Sequence, residues 1–326
     1  AKTGELIVRE NPLQGAILTR VASSHIRVGT FQYVAARDKK GELETLLDYA
    51  VKRHYPSLIN SKNKALDLLE ALMNKQIDLV VNWMRVGFIH GVMNTDNMTI
   101  SGETIDYGPC AFMDTYDPKT VFSSIDKMGR YAYCNQPIIT KWNLSRFAEC
   151  LIPLINQDQN QAIKDATKLI NTFEKKYEER WMNMMRKKLG LQGTHDKDKF
   201  LIVDLLTWMH QNKVDYTNTF CHLMDEKIKD DKIYDNEDFQ SWKKRWKIRL
   251  KINNNSPDKY KKLMKTFNPL VIPRNHKVEE ALEAAKKDNI KPVKHLLEIL
   301  KKPYIRQNDT INYQIPTDLD EKYQTF

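Results

Sequence analysis

The chain has 326 residues, of which 41% are hydrophobic and 29% are charged, a balance typical of globular proteins and unlike that of disordered or fibrous ones. No stretch approaches the roughly 18–20 apolar residues of a membrane helix, and the first residues lack a secretory signal pattern, so we expect no membrane partner. The 52 basic and 42 acidic residues give a net charge of +10, which favours anionic partners: nucleic acid, acidic membrane or nucleotide phosphates.

The basic excess and the cysteines point to ordinary features. Much of the excess lies in Lys-rich helical stretches after about residue 160, such as 243–251. A solvated helix face explains that run more simply than a nucleic-acid surface, and no known nucleic-acid motif accompanies it, so we expect no nucleic-acid partner. The cysteines form no CxxC pair, which argues against zinc and for reduced thiols in a cytoplasmic protein. They are Cys110, Cys134, Cys150 and Cys221.

The first residues predict two strands around a turn. Segment 5–22 holds two short apolar runs separated by Asn11-Pro12 and Gly15, which favour turns. Because the chain opens abruptly inside the first of these strands, we expect an N-terminally truncated part of a longer protein.

Three helices are predicted next. Ser23 or Ser24 is suited to cap a helix that begins near His25, and an amphipathic helix follows over 41–56. Segment 63–89 carries apolar residues at helical spacing along most of its length, which predicts a buried central helix.

The middle of the chain changes character twice. Segment 90–113 is rich in Gly, Asn, Thr and Asp, and two small strands are predicted there at Met98–Ile100 and Thr104–Tyr107. Segment 114–135 is long, polar and without periodicity, which is typical of a functional loop. From 136 to about 252 the pattern is almost wholly helical.

The last part of the chain predicts a helical pair and a tail. Prolines interrupt the helices in 256–276, helices are predicted at 277–288 and 291–301, and an extended tail follows. The fold class is therefore α+β and mostly helical. The element order matches the larger lobe of a protein-kinase-like fold, preceded by the end of the smaller lobe.

This order predicts three regions. Residues 1–35 form the end of the N-lobe and a hinge. Residues 36–255 form a kinase-like helical C-lobe with a catalytic hairpin and an activation-type loop. Residues 256–326 form a C-terminal helical extension and tail.

The chemistry is concentrated in the run HGVMNTDNMTISGETIDYG at 90–108. A kinase catalytic loop has the pattern H-x-D-x-x-x-x-N followed by D-F-G. His90 and Asn97 keep the interval of that pattern, and Asp106-Tyr107-Gly108 lies where D-F-G is expected. The position of the catalytic aspartate is Val92, which cannot accept the proton of an incoming hydroxyl.

The remaining polar residues suit a nucleotide and its metal. Asn97 and Asp106 supply the kind of oxygen pair that binds Mg²⁺ together with phosphates and waters. Asp96 adds a carboxylate to the same loop. The alternative interpretation is that all three residues only form turns in a polar loop.

The run at 90–108 closely resembles the signature of the selenoprotein O family, pseudokinases that act as protein adenylyltransferases. Segments 15–32, 129–137, 142–149 and 268–285 resemble that family as well. The resemblance extends nearly from end to end.

The resemblance implies a role for each candidate residue. Asp96 would accept the proton of the target hydroxyl, and Asn97 and Asp106 would hold Mg²⁺, with Asp106 also contacting ATP. Arg20 and Arg27 match two arginines that the family uses on the nucleotide, which binds inverted relative to kinases. The implied cofactors are ATP and Mg²⁺, with Mn²⁺ as an alternative, and the partners are proteins bearing Ser, Thr or Tyr hydroxyls. We expect a monomer.

The residues themselves support part of this assignment. A guanidinium presents a planar fork that suits phosphate. If the first helix reaches back to Arg20, the side chains of Arg20 and Arg27 lie on the same helical face, about 10 Å apart. Each arginine alone is equally compatible with a surface salt bridge.

Two other functions stay open: an atypical kinase with Asp96 as base, and an inactive nucleotide-binding pseudokinase scaffold. Val92 argues against the kinase, and the retained polar set argues against the scaffold.

Several conspicuous residues have simpler interpretations. His90 is expected to anchor the loop by hydrogen bonding, and the cluster at 274–276 to brace the final helices. Asp114 and Asp117 are expected to be solvated loop charges, with contact to a substrate as the alternative.

Overall fold

The computed structural model describes residues 2–8, 12–37, 39, 41–228, 232–252 and 256–317, and its fold is α+β and mostly helical. The chain opens with an antiparallel hairpin of β1 (Lys2–Val8) and β2 (Pro12–Ala16), in which Ile7 pairs with Leu13. The predicted pair of strands is confirmed, but the second is misplaced: Pro12 and Gly15, predicted to separate the strands, lie inside β2, which ends at Ala16. Asn11 lies outside the described residues.

Helices make up most of the described chain. Their bounds are α1 Val28–Ala36, α2 Glu42–His54, α3 Lys64–Val86, α4 Gln136–Ile155, α5 Gln159–Ile170, α6 Phe173–Lys188, α7 Asp198–Gln211, α8 Tyr216–Leu223, α9 Glu237–Lys251, α10 Pro257–Phe267, α11 Asn275–Lys286, α12 Lys291–Leu300 and α13 Thr310–Gln314. The helical predictions for 41–56, 136–252, 277–288 and 291–301 are confirmed. None of the helices in the described ranges has the length and hydrophobicity to cross a bilayer.

The predicted central helix is α3. It begins after Asn63, whose side-chain oxygen accepts a hydrogen bond from the backbone N–H of Leu66 at 3.1 Å. It ends at Gly87, which adopts the left-handed conformation with φ of 74°. One face of α3 is fully buried against α4 and α6. After α3, the chain passes through the short strand Phe88–Ile89 into the loop at 90–108.

The prediction of a helix that begins near His25 is wrong. The helix begins at Val28, and the backbone at Arg27 is extended, with φ of −123° and ψ of 169°. Arg20 therefore lies outside α1, and the two arginines do not share one helical face.

The cause is a pairing with a distant part of the chain. The backbone N–H of Val28 donates to the carbonyl oxygen of Met98 at 2.9 Å, and that of Ile100 donates to Ile26 at 2.9 Å. Backbone groups used in this way are not available for a helical turn. Residues 26–28 thus lie as an extended strand beside 98–100.

The small strands also differ from the prediction. Met98–Ile100 and Thr104–Tyr107 are joined by a single bridge between Met98 and Thr104. The hydroxyl of Thr99 bonds both backbone groups of Glu103 and so replaces further ladder bonds. The two-stranded sheet here is instead β3 (Phe88–Ile89) with β4 (Ala111–Phe112).

The later connections agree with the prediction except at the end of the chain. Segment 114–135 has no regular helix before a 3₁₀ turn at Tyr133–Asn135, as expected of a long loop. The predicted extended tail contains the short helix α13, and Gln314 in it is buried. The part of the tail after residue 317 lies outside the described residues.

Arg274 ties this tail to the rest of the molecule. Its side chain is fully buried and pairs with Asp114 and Asp215, and it donates to the carbonyl oxygen of Gln314 at 3.0 Å. Burial opposes the charge of Arg274, but the two carboxylates outweigh it and raise its pKa. The bracing role predicted for 274–276 is confirmed. The prediction that Asp114 is solvated is wrong, because Arg274 draws it into the interior.

Replacing Arg274 with Met should therefore destabilise the protein strongly. Two buried carboxylates would lose their shared cation, and breaking a buried ion pair costs about 3–5 kcal/mol. Urea unfolding followed by circular dichroism measures this loss. The matched control is Arg245→Met, because Arg245 pairs with Asp204 on the surface and such pairs contribute about 0–1 kcal/mol. If both variants lost the same free energy of unfolding, the assignment of Arg274 as a buried brace would be contradicted.

Candidate functional site

Hydrogen bonds through His90 and Gln136 anchor the loop at 90–108. His90 is fully buried, and its Nε2 lies 2.8 Å from the carbonyl oxygen of Ile105. Its Nδ1 accepts a long hydrogen bond from the N–H of Val92, so the proton belongs on Nε2, which donates to Ile105. The side chain of Gln136 accepts from the His90 backbone at 3.0 Å. The anchoring role predicted for His90 is confirmed.

Asn97 is oriented by the same loop. It ends a 3₁₀ turn, Thr95–Asn97, and its amide nitrogen donates to the carbonyl oxygen of Val92 at 2.9 Å. This bond leaves the amide oxygen as the group that can bind a ligand. The bridge between Met98 and Thr104 brings Asn97 back towards the residues around Asp106.

Asp106 has an unusual backbone conformation. Its φ is 63°, the left-handed region that aspartate tolerates better than most residues. It follows Ile105, which is buried, and its carboxylate is 40% exposed. The guanidinium of Arg20 lies 3.8 Å from that carboxylate. Two of the predicted site residues are therefore in direct contact.

Arg27 lies at the start of α1, against the loop. Its Nε is buried and has no hydrogen-bond partner among the described residues. A buried unsatisfied donor is costly, and an anion would satisfy it. Gly29 allows the approach of α1, because a Cβ there would lie only 3.3 Å from the backbone nitrogen of Asp96.

Asp96 lies beside this helix start, in the 3₁₀ turn. Its side chain is exposed and makes no hydrogen bond or ion pair with any residue that the structure describes. Likewise, within the described ranges no such contact joins the side chains of Asp96 or Asn97 to Asp106. The structure thus brings Arg20 to Asp106 and the Arg27 segment to the turn of Asp96.

A cleft of about 370 Å³ opens beside Arg20, and Arg27, Asp96, Asn97 and Asp106 are not among its lining residues. Arg20, Glu103 and Tyr107 are among its lining residues, and Tyr107 is 63% exposed. Glu103 accepts a hydrogen bond from the hydroxyl of Ser23 at 2.8 Å and so holds the Arg20 segment against the loop. Glu103 was not among the predicted site residues. The sequence could have indicated Glu103, because it follows Gly102 inside the run at 90–108.

The donor set fits a magnesium ion bound together with phosphates. The described residues contain no group of three or more His, Cys, Asp or Glu side chains that could hold a metal alone. Asn97 and Asp106 supply two oxygens, and Mg²⁺ normally takes one or two protein carboxylates and completes its shell with phosphates and waters. The chemistry of these donors therefore suits Mg²⁺ that arrives with a nucleotide.

Comparisons with known proteins match almost the whole chain. The model of the family described as protein adenylyltransferase SelO matches residues 1–301. The protein nucleotidyltransferase YdiU of Pelagibacter ubique (strain HTCC1062) is 60% identical over 326 residues, which are 100% of this chain and 68% of the relative. The proteins of the same name from Alcanivorax borkumensis and Clostridium perfringens (strain SM101 / Type A) are 54% and 51% identical. They are matched over 100% and 99% of this chain and 68% and 66% of their own lengths. The chain thus spans about two thirds of these relatives.

Replacing His90 with Gln should change how stability depends on pH. Burial lowers the pKa of His90, although its bond to Ile105 acts in the opposite direction. The unfolded chain, with a histidine pKa of about 6.5, therefore binds the proton more readily. The contribution of His90 to stability is present above about pH 6.5 and is lost as the pH falls. The variant should be about 1–3 kcal/mol less stable at about pH 8, because buried partners lose their bonds.

Urea unfolding between about pH 8 and pH 5 tests this prediction. The loss of stability on acidification should be shallower in His90→Gln than in the wild type. The matched control is His25→Gln, which replaces an exposed imidazole. The stability of this variant should depend on pH as steeply as that of the wild type. If the stability of His90→Gln fell with decreasing pH as steeply as that of the wild type, the assignment of His90 as an uncharged, buried anchor of the loop would be wrong.

Proposed function

The chain belongs to the protein adenylyltransferase SelO family, and from this membership we propose that it transfers AMP from ATP to Ser, Thr or Tyr hydroxyls of proteins. The family assignment confirms the resemblance found in the motif. The observation that supports the proposal is that segment 20–28 lies along the loop, with Arg20 at the carboxylate of Asp106 and the start of α1 against the turn of Asp96.

We propose a kinase-like fold as the framework of the site. The order of a strand hairpin, helices, an anchored loop and further helices supports it. Residues 1–35 are proposed as the end of the N-lobe and hinge, 36–255 as the C-lobe, and 256–326 as a C-terminal extension. Cytoplasmic location and a monomeric state stay predictions.

The proposed chemistry assigns one step to each polar group. Asp96 accepts the proton of the target hydroxyl as its oxygen forms a bond to the α-phosphorus of ATP. The bond from that phosphorus to the departing pyrophosphate breaks, and pyrophosphate is released. The exposed, unpaired carboxylate of Asp96 suits a base that must reach a protein substrate.

The cationic groups act on the phosphates. Among the described residues Arg27 has a buried donor without a partner, and Arg20 lies at the carboxylate of Asp106, which supports the proposal that both offset developing negative charge. Asn97 and Asp106 would hold Mg²⁺, or Mn²⁺ as the alternative, which neutralises phosphate charge when bound. The inverted orientation of ATP is supported by the family resemblance alone.

The two alternatives differ in which phosphate moves. An atypical kinase would use Asp96 as base for γ-phosphoryl transfer, and an inactive scaffold would transfer nothing. Val92 in place of the catalytic aspartate disfavours the kinase, and the unpaired Asp96 and Arg27 groups disfavour the scaffold.

The full-length protein separates these functions when it is incubated with Mg²⁺, protein substrates and ATP labelled on either the α- or the γ-phosphate. We expect label on protein from the α position alone. Label from γ alone would establish the kinase, and label from neither would establish the scaffold.

Two variants of the loop should lose transfer for different reasons. Asp106→Ala should lose both AMP transfer and the binding of nucleotide with Mg²⁺, because the substitution removes a proposed metal-binding carboxylate and the ion-pair partner of Arg20. Asp96→Asn should lose transfer by about 10²-fold or more while it retains most nucleotide binding, as expected for a base. Calorimetric titration with ATP and Mg²⁺ measures the binding. Equal loss of binding in both variants would contradict a base role for Asp96.

Arg27→Gln should weaken ATP binding by about tenfold or more, because a charge-assisted contact contributes about 1.5–3 kcal/mol. The matched control is Arg37→Gln at the other end of α1, where the guanidinium contacts Tyr33 and Glu42 at the surface. Fluorescence titration with a labelled ATP analogue gives both affinities. An unchanged affinity in Arg27→Gln would remove Arg27 from the nucleotide site.

A further inference from the structure

An arginine stacked on aromatic rings lies close to the catalytic loop. The guanidinium carbon of Arg130 is 4.8 Å from the ring centre of Trp142 and 5.7 Å from that of Tyr131. The guanidinium of Arg146 lies 5.5 Å from the ring centre of Trp142. Arg130 is exposed, and Trp142 is 38% exposed, so solvent and ligands reach this stack.

Arg130 is a cation without an acidic partner. In the ranges that the structure describes, no carboxylate oxygen lies within the 4 Å of a salt bridge to its guanidinium, whereas Arg146 pairs with Glu149. The carboxylate nearest in sequence, Asp126, accepts from the backbone N–H groups of Arg130 and Tyr131 at 2.8 and 2.7 Å. Asp126 thus folds the loop and leaves the guanidinium free for an external anion.

A hydrogen bond links this stack to the proposed base. The hydroxyl of Tyr131 donates to the side-chain oxygen of Asn94 at 2.6 Å. Asn94 precedes Asp96 by two residues, and two residues span at most about 7 Å. These short contacts make Arg130 a neighbour of the turn that carries Asp96. In a protein segment whose hydroxyl lies at Asp96, side chains two to four residues away lie about 7–14 Å along an extended chain and are the candidates to meet such a neighbour.

We propose that Arg130, held on the ring of Trp142, binds a carboxylate of the protein substrate two to four residues from the hydroxyl that receives AMP. This inference rests on the proposed transfer activity. A guanidinium forms two parallel hydrogen bonds with a carboxylate. Stacking fixes the position of the guanidinium before the substrate arrives, so less side-chain entropy is lost on binding. The substrate class is a protein with an acidic residue near its target Ser, Thr or Tyr.

Matched synthetic peptides test the proposal with the full-length protein. Each has one Thr, and the positions two to four residues on either side are either Asp or Asn. AMP transfer from α-labelled ATP gives kcat and KM. The wild type should show a KM about 3–10-fold lower for the Asp peptide, with similar kcat values. Arg130→Gln should abolish this difference, and Arg130→Lys should retain part of it.

The matched control is Lys127→Gln, which removes an equal charge from an exposed position of the same loop. It should keep the preference for the Asp peptide. Loss of the preference in both variants would mean that net charge, and not the Arg130 site, selects the substrate. A wild type without the preference would overturn the proposal.

Binding measured without ATP separates this proposal from the proposed activity. The fluorescence of Trp142, compared with a Trp142→Phe variant, should report tighter binding of the Asp peptide by the wild type and not by Arg130→Gln. If that difference appears and no peptide receives AMP, the binding site stands and the transfer function fails. If peptides receive AMP but neither measurement shows a difference, the transfer function stands and the Arg130 site fails.

Discussion

The pairing of residues 26–28 with 98–100 is the contact on which the candidate site depends. It ends the extended N-terminal segment at Arg27, starts α1 at Val28 and presses Gly29 against the turn of Asp96. Since the pairing uses backbone groups, it is insensitive to most side-chain changes. A larger residue at position 29 would push the start of α1 and the turn of Asp96 apart, because a Cβ there would already make a tight contact with the backbone of that turn.

Stability and function are divided between different polar groups. His90, Gln136 and Arg274 are buried and bonded to backbone or carboxylates, and they fix the positions of the loops. Among the described residues, Asp96 is exposed and unpaired, and Arg27 has a buried donor without a partner. The exposed carboxylate does not stabilise the fold and the buried donor destabilises it, whereas a bound nucleotide and substrate would satisfy both groups.

The proposed base, Asp96, lies in the same loop as Val92, which occupies the position of the kinase catalytic aspartate. One hydrogen bond ties together the two ends of the loop at 90–108, because His90 at its start bonds the carbonyl oxygen of Ile105, next to Asp106. Between these ends, Asp96 lies in a short 3₁₀ turn. The neighbouring loop at 114–135 is folded around Asp126, and its Arg130 lies over the ring of Trp142 on α4. A hydrogen bond from Tyr131 to Asn94 therefore links the proposed substrate-recognition residue Arg130 to the loop of the proposed base.

The sequence by itself determined most of the helices, including the central helix α3, and the polar motif, because helical periodicity and motif spacing are local properties. It also predicted that His90 anchors the loop. It missed the short helix α13 in the tail. The tertiary structure alone decided where α1 begins, which short segments pair as strands and that Asp114 is buried. Each of these depends on a partner far along the chain, as with Arg274, which is 160 residues from Asp114. Such contacts compete with local preferences, and their outcome depends on which groups the fold brings together.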